Sequence, residues 1–337
     1  MGVTLPSFDE LPNKYRYWKW GPPGSEAEGK GMLNILTSDV VQAASKEIQT
    51  GERVAIGWKF NKPDYPPLHR VEFKLDIKYI NDPIAFDDEI SINPQSTSQW
   101  DGFRHYSQRI RSGDDDLLAT AEKEASLSER EKRVFYGGTK HSEILDSSSD
   151  RISIHHWAKQ GIVSRGVLID YKSWADKKGI EYSCFSVHQV RLSDILEIAK
   201  ESNIEFRQGD ILFIRIGLIP EWEAMSAEKQ KAYGDNGPYH HCGVEQNEAV
   251  ARFLWDNHFA AVASDSIGWE VYPTQNPGFH LHEFLLAGWG VPIGELFDLE
   301  GLSELCKKHN RWSFFFSSVP FNVVGGVSSA PNGLAIF

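Results

Sequence analysis

Apolar residues keep two different periods along this chain. Val40, Val41, Ala44 and Ile48 recur on one helical face, with Thr37 or Ser38 able to cap the start and Gly51 placed where a helix stops. The run VEFKLDIKYI (71–80) alternates instead, which predicts strands with one face buried and one wet, and so antiparallel sheet. GVLID (166–170), DILFIRIG (210–217) and FAAVAS (259–264) are short continuous apolar runs, the pattern of strands buried on both faces. Helices separate them: Ser193 can cap DILEIAKES, and VEQNEAVARFLWDNH sets Ala249, Val250, Phe253 and Leu254 at helical spacing. Residues 1–31, rich in Pro, Gly and aromatics, predict an extended arm over the body of the protein. The charged run SGDDDLLATAEKEASLSEREKR (112–133) predicts a solvated helical insertion. The pattern is mixed α/β without an internal repeat, and no G-x-G-x-x-G or Walker loop marks a nucleotide site.

Composition narrows the partners. A chain of 337 residues, 41% hydrophobic and 24% charged, supports a globular core. Its net charge of -12 and lack of Lys/Arg clusters argue against nucleic acid, which leaves small molecules. Cys184, Cys242 and Cys306 are too few and too scattered for a disulfide framework, so a reducing compartment is expected. No signal-peptide core and no apolar run long enough to span a bilayer are seen, so a cytoplasmic protein without a membrane partner is expected.

Candidate chemistry sits in two segments. In SQWDGFRHY (98–106), Asp101 and His105 are four apart, which on a helix puts carboxylate and imidazole on one face. A surface ion pair is the commoner fate of such a pair. In FHLHEFLLAGWGVPIGELFDLEGL (279–302), His282 opens a short helical stretch and Glu295 follows the apolar strand GVPIG; His280 and Glu283 compete for any role there. Two carboxylates and two histidines make a mixed O/N set that suits zinc or manganese and is too nitrogen-rich for calcium or magnesium. Trp100, Phe103, Tyr106, Trp157 and Trp269 crowd the same motifs and are candidates to line a pocket. His155 and His156 stand beside a predicted strand end, where one of them can face the pocket, although a structural role is commoner for each.

The segments GMLNILTSDVVQAA (31–44), SQWDGFRHY (98–106), IHHWAKQGIVSRGVLIDY (154–171), GVEQNEAVARFLWDNHFAAVASDS (243–266), HEFLLAGWGVPIGELFDLEGL (282–302) and VPFNVVGGVSSAPNGLAIF (319–337) together resemble the cyclase family. That family includes bacterial kynurenine formamidases and isatin hydrolases, and the likeness is greatest to its fungal cyclase-like branch. The resemblance implies a single α/β domain with the swivelling β/β/α fold, assembled as a dimer or tetramer. It also implies a metal-dependent hydrolase that opens an amide, lactam or lactone of a small cyclic or aromatic substrate. The formamidase motif H-x-x-x-H-x-D, with a further histidine four residues on, falls here on Gln95, Gln99, Asp101 and His105, so both leading histidines are absent. What remains implies one divalent ion, zinc or manganese, on Asp101, His105, His282 and Glu295. The His-to-Glu spacing is one residue longer here than in the family.

Catalytic roles are then expected for His105, Glu295 and Gln99, the last through substrate, water or weak ligation. Substrate contacts are expected from Trp100, Phe103, His156 and Trp157. The rival readings are a metal-dependent cyclase or lyase, and a small-molecule-binding protein without catalysis.

Overall fold

The computed structural model describes residues 3–111, 127–146 and 148–337. The doubly apolar runs become the middle of a nine-stranded mixed sheet. Its parallel core consists of β7 (Ile162–Asp170), β9 (Ile211–Arg215), β11 (Ala261–Ser264) and β12 (Ile293–Glu295), neighbours in that order. Beyond β7 the sheet continues antiparallel through β13 (Ser313–Ser318), β15 (Gly333–Ile336) and β1 (Arg53–Ala55). Beyond β12 it continues antiparallel through β4 (Gln99–Asp101) and β14 (Ser328–Ser329). Every residue of β9 is buried, as is every residue of β7 except Val163, as expected of strands covered on both faces.

The helices between the parallel strands lie where the periodicity put them, with shifted details. Helix Leu192–Glu201 starts one residue before the expected Ser193 cap, because the Asp194 carboxylate accepts the Arg191 N–H at 3.3 Å while the Ser193 hydroxyl is spent on Asp194. Helix Glu248–Asp256 is capped by Asn247 and buries Val250, Ala251, Leu254 and Trp255, a stripe rotated from the expected one. The helix expected after Thr37 runs Ser38–Ala44 with Thr37 as cap; a 3-10 turn over Ser45–Glu47 follows, so Ile48 lies beyond it and is exposed. After β11, the Asp265 carboxylate accepts the N–H groups of Ile216, Gly217 and Leu218 at 2.7–3.0 Å and so holds the exit of β9.

Three short ribbons stand outside the main sheet: β2 (Lys74–Asn81) with β3 (Ala85–Ser91), β5 (Gln108–Arg109) with β6 (Arg133–Val134), and β8 (Gln189–Val190) with β10 (Gly243–Val244). The first of these is antiparallel, as the alternation predicted, but its expected buried face is exposed. Leu75, Ile77, Tyr79, Phe86 and Ile90 share one face, and each is at least 50% exposed. Of the expected helical insertion 112–133, residues 112–126 lie outside the described residues; residues 127–132 form bends and turns, and Arg133 opens β6. Among the described residues, no helix is long and apolar enough to cross a membrane.

The segment before residue 31 packs along the body. The Tyr17 N–H and the Trp18 indole donate to the Gly288 and Ala287 carbonyls at 2.8 and 2.9 Å, and the Trp289 indole donates back to Lys14 at 3.0 Å. These bonds fasten the π-helical turn Glu283–Trp289, which Gly290 ends at φ +68°. His282 sits immediately before that turn.

Candidate metal centre

Strand geometry decides which side chains meet. In β4, Gln99 and Asp101 point to one face and Trp100 to the other, where its ring packs on Phe297 and Phe316. The antiparallel register sets Glu295 of β12 directly opposite Gln99, and Gln99 Nε2 donates to Glu295 Oε2 at 2.5 Å. The Asp101–His105 spacing is not helical: Asp101 ends the strand, and a turn closed by the His105 N–H on the Gly102 carbonyl (2.9 Å) brings the imidazole back. His105 Nε2 then lies 3.7 Å from Asp101 Oδ2. From its place just before the π-helical turn, His282 sets Nε2 at 3.2 Å from Glu295 Oε1.

Asp101, His105 and His282 thus offer ligand atoms within 4.8 Å of one another, and Glu295 abuts them through His282. The residues fit a cation. Asp101 Oδ2 and Gln99 Oε1 are both buried without a hydrogen-bond partner, an arrangement of acceptors that costs free energy unless a proton or metal lies among them.

The two glutamines that stand at the motif's histidine positions have visible work. Gln95 Nε2 donates to both Asp101 Oδ1 (2.6 Å) and His105 Nδ1 (2.8 Å). Gln99 holds Glu295. Because His105 accepts at Nδ1, the hydrogen-bond network assigns its proton to Nε2, on the side of Asp101. Burial, reinforced by the charges of His282 and Arg70 against that of Asp101, lowers its affinity for a second proton, so it stays neutral.

Glu270 was not foreseen. It accepts His282 Nδ1–H at 2.6 Å, the backbone N–H groups of Leu281 and His282 at 2.8 Å each, and a short bond from the Gln246 amide. Burial opposes its charge, but these donors hold it below the usual carboxylate range. A carboxylate behind a ligating histidine fixes ring orientation and leaves Nε2 as the ligand atom. Its signal was a lone acid in the apolar run IGWEVYP (267–273). Burial works against a charged His282 too, yet hydrogen bonds to Glu270 and Glu295 together with their charges raise it to about 10. Glu295 is raised to about 7 by burial first and by the Asp101 charge next. Without a metal, a proton is the positive charge this cluster recruits.

A cavity of about 170 Å³ opens onto His105, His282, Glu270 and Glu295, walled also by Leu68, Arg70, Tyr106, His241, Gln246, Ile267, Tyr272 and His280. Tyr106 lines it as one of the aromatics expected near the motif, and its ring lies 5.1 Å from that of His282. Trp100, Phe103, His156 and Trp157 do not line it. Trp100 and Phe103 are buried in the core behind β4, and Trp157 packs on Phe103 with its indole N–H on the Gly29 carbonyl. His156 is buried against Asp150 and Gly29. Glu283 pairs with Arg111 and Arg133, away from the cluster of Asp101, His105 and His282, while His280 lines the cavity beside His282.

A family model described as a putative cyclase matches residues 54–271, more than half of the chain. Among solved structures, one described as a novel cyclase aligns with a TM-score of 0.76 at 23% identity, covering 95% of this chain and 99% of that one. Isatin hydrolase A from Ralstonia solanacearum aligns with a TM-score of 0.57 at 14% identity, covering 89% and 96%. Isatin hydrolase A from Labrenzia aggregata, bound to benzyl benzoate, gives 0.54 at 14%, covering 89% and 98%. These likenesses establish a common α/β fold. No curated protein sequence matches the chain.

Replacing Glu270 by Gln is expected to weaken binding of zinc or manganese about 10–100-fold with the fold retained. Competition against a chromophoric chelator measures this, and unchanged affinity would show that Glu270 does not support the site.

Proposed function

The chain belongs to the putative cyclase family, and from that premise we propose that it is a metal-dependent hydrolase. The observation that carries the proposal is the approach of Asp101 and His282 to one buried point beside a cavity, with Glu295 set against His282 at 3.2 Å and Asp101 Oδ2 left unpartnered. These three residues hold one divalent ion, zinc or manganese, and Gln99 Oε1 is a weak fourth candidate. Such an ion supplies Lewis acidity, polarising a carbonyl and making water a stronger acid.

The remaining work falls to the chain. We assign His105 a place beside the ligand set and not in it, because the hydrogen-bond network puts its proton on Nε2. It is a neutral N–H donor toward the site, suited to a substrate carbonyl oxygen as negative charge develops there. Gln95 fixes that tautomer, and Gln99 holds Glu295 in its place beside His282.

The cavity is close to the size that accepts a benzene ring, and its apolar and aromatic walls with one Arg70 guanidinium favour a small cyclic or aromatic amide, lactam or lactone. The compartment we propose is the cytoplasm, in keeping with three buried free cysteines. A panel of lactams, lactones and amides incubated in isotopically labelled water tests the reading. Turnover should place the label in the product, and His105→Ala should lower kcat about 100-fold or more with the metal retained. Product formed without label would make the protein a cyclase or lyase.

We propose further that the protein is a homo-oligomer covered at the β2–β3 ribbon. A two-stranded ribbon is marginal alone, and this one presents five large apolar side chains to solvent on one face. Lys78, on the other face, is paired with Asp76 and Glu89, and the apolar face suits a second copy of itself. Sedimentation should show a dimer or tetramer that Ile77→Lys with Phe86→Lys converts to folded monomer; a monomeric parent protein would refute the assignment.

A further inference from the structure

A second set of ligand atoms lies outside the cavity. Asp150, His155 and His156 offer donor atoms within 4.8 Å of one another. Both imidazoles are buried, at 4% and 3% exposure, whereas the Asp150 carboxylate reaches solvent.

Their protons can be placed from the bonds around them. Ser153 Oγ accepts the Gly325 N–H at 2.8 Å and donates its own proton to the Val323 carbonyl at 3.3 Å. Its bond with His155 Nδ1, 2.9 Å, is therefore one in which the imidazole donates. That leaves His155 Nε2 bare, 3.9 Å from Asp150 Oδ2. His156 Nε2 lies 3.0 Å from the Asp150 carbonyl, which can only accept, so His156 carries its proton there. Its Nδ1 is bare, buried and without a partner. Each imidazole thus keeps one nitrogen free of a proton.

The Arg104 guanidinium nearby is already bonded to the carbonyls of Arg151, Gly325 and Ser149. The rings cannot easily turn away, because the His156 ring packs so closely on Gly29 that a Cβ there would come within 2.2 Å of it.

We propose that Asp150, His155 and His156 form a second metal site, taking a divalent transition metal of the zinc, cobalt or nickel class through two imidazole nitrogens and one carboxylate oxygen, completed by solvent. Each histidine is already oriented through its other nitrogen, by Ser153 and by the Asp150 carbonyl, as ligating histidines are. The site is structural. Ser153 joins it to Val323 and Gly325, and the Ile154 N–H bonds Gly326 at 3.1 Å. An ion there fastens segment 150–156 to the chain that runs on into β14, the strand paired with Asp101.

Cobalt titration of the full chain carrying Asp101→Ala, which removes the central site, tests this. One cobalt per chain should bind with visible d–d absorption, and adding His155→Ala with His156→Ala should abolish it. In the otherwise unaltered chain the same pair should lower bound cobalt from two to one, which keeps the test valid if Asp101→Ala fails to fold. Cobalt content unchanged by the histidine pair, in either background, would overturn the proposal.

Discussion

The centre of this molecule is governed by the cost of burying carboxylates. Asp101, Glu270 and Glu295 lie within the sheet and its crossover with at most 5% of their surface exposed, where an unpaired charge is far more expensive than at the surface. Each has been given donors: Gln95 for Asp101, Gln99 for Glu295, and two backbone amides, Gln246 and His282 for Glu270. The arrangement of β4 against β12, the turn 102–105 and the anchoring of the π-helical turn by the N-terminal segment all place those donors. One oxygen, Asp101 Oδ2, is left over, and that imbalance is what the proposed cation would offset.

The glutamines show how such a site is reshaped. Where the formamidase-like motif has imidazoles, this chain has amides that cannot carry charge but can donate two hydrogens each. Gln95 uses both, one on Asp101 and one on His105, and so fixes the tautomer of His105. The family match stops at residue 271, before His282 and Glu295; those two come from the crossover and strand that complete the parallel core. Fold is shared at low identity, but chemistry resides in these few contacts.

How much of this was legible in the sequence depended on whether the deciding contact was local. Continuous apolar runs identified β7, β9 and β11 because burial on both faces leaves no polar positions. Alternation in 71–80 identified an antiparallel strand but not what covers it, since amphipathicity states that a face is apolar and says nothing of its partner. The Asp101–His105 spacing fits a helix, yet a strand followed by a tight turn returns a side chain over the same distance. Glu270 was invisible as a site residue because its partners lie 11 and 12 residues on, and nothing in the run fixes their approach. Trp100, adjacent in sequence to Asp101, faces the core because strand neighbours point to opposite sides, and Phe103, in the turn that follows, packs on Tyr136 and Trp157.

The metal content of purified, unchelated protein, compared between the parent chain and Asp101→Ala with the fold of each verified by circular dichroism, is the most direct test of the central claim. A loss of one zinc or manganese per chain in the folded variant is the predicted result. Equal metal content in the two folded proteins would contradict it, and would mean that the buried carboxylates are balanced by protons and hydrogen bonds alone.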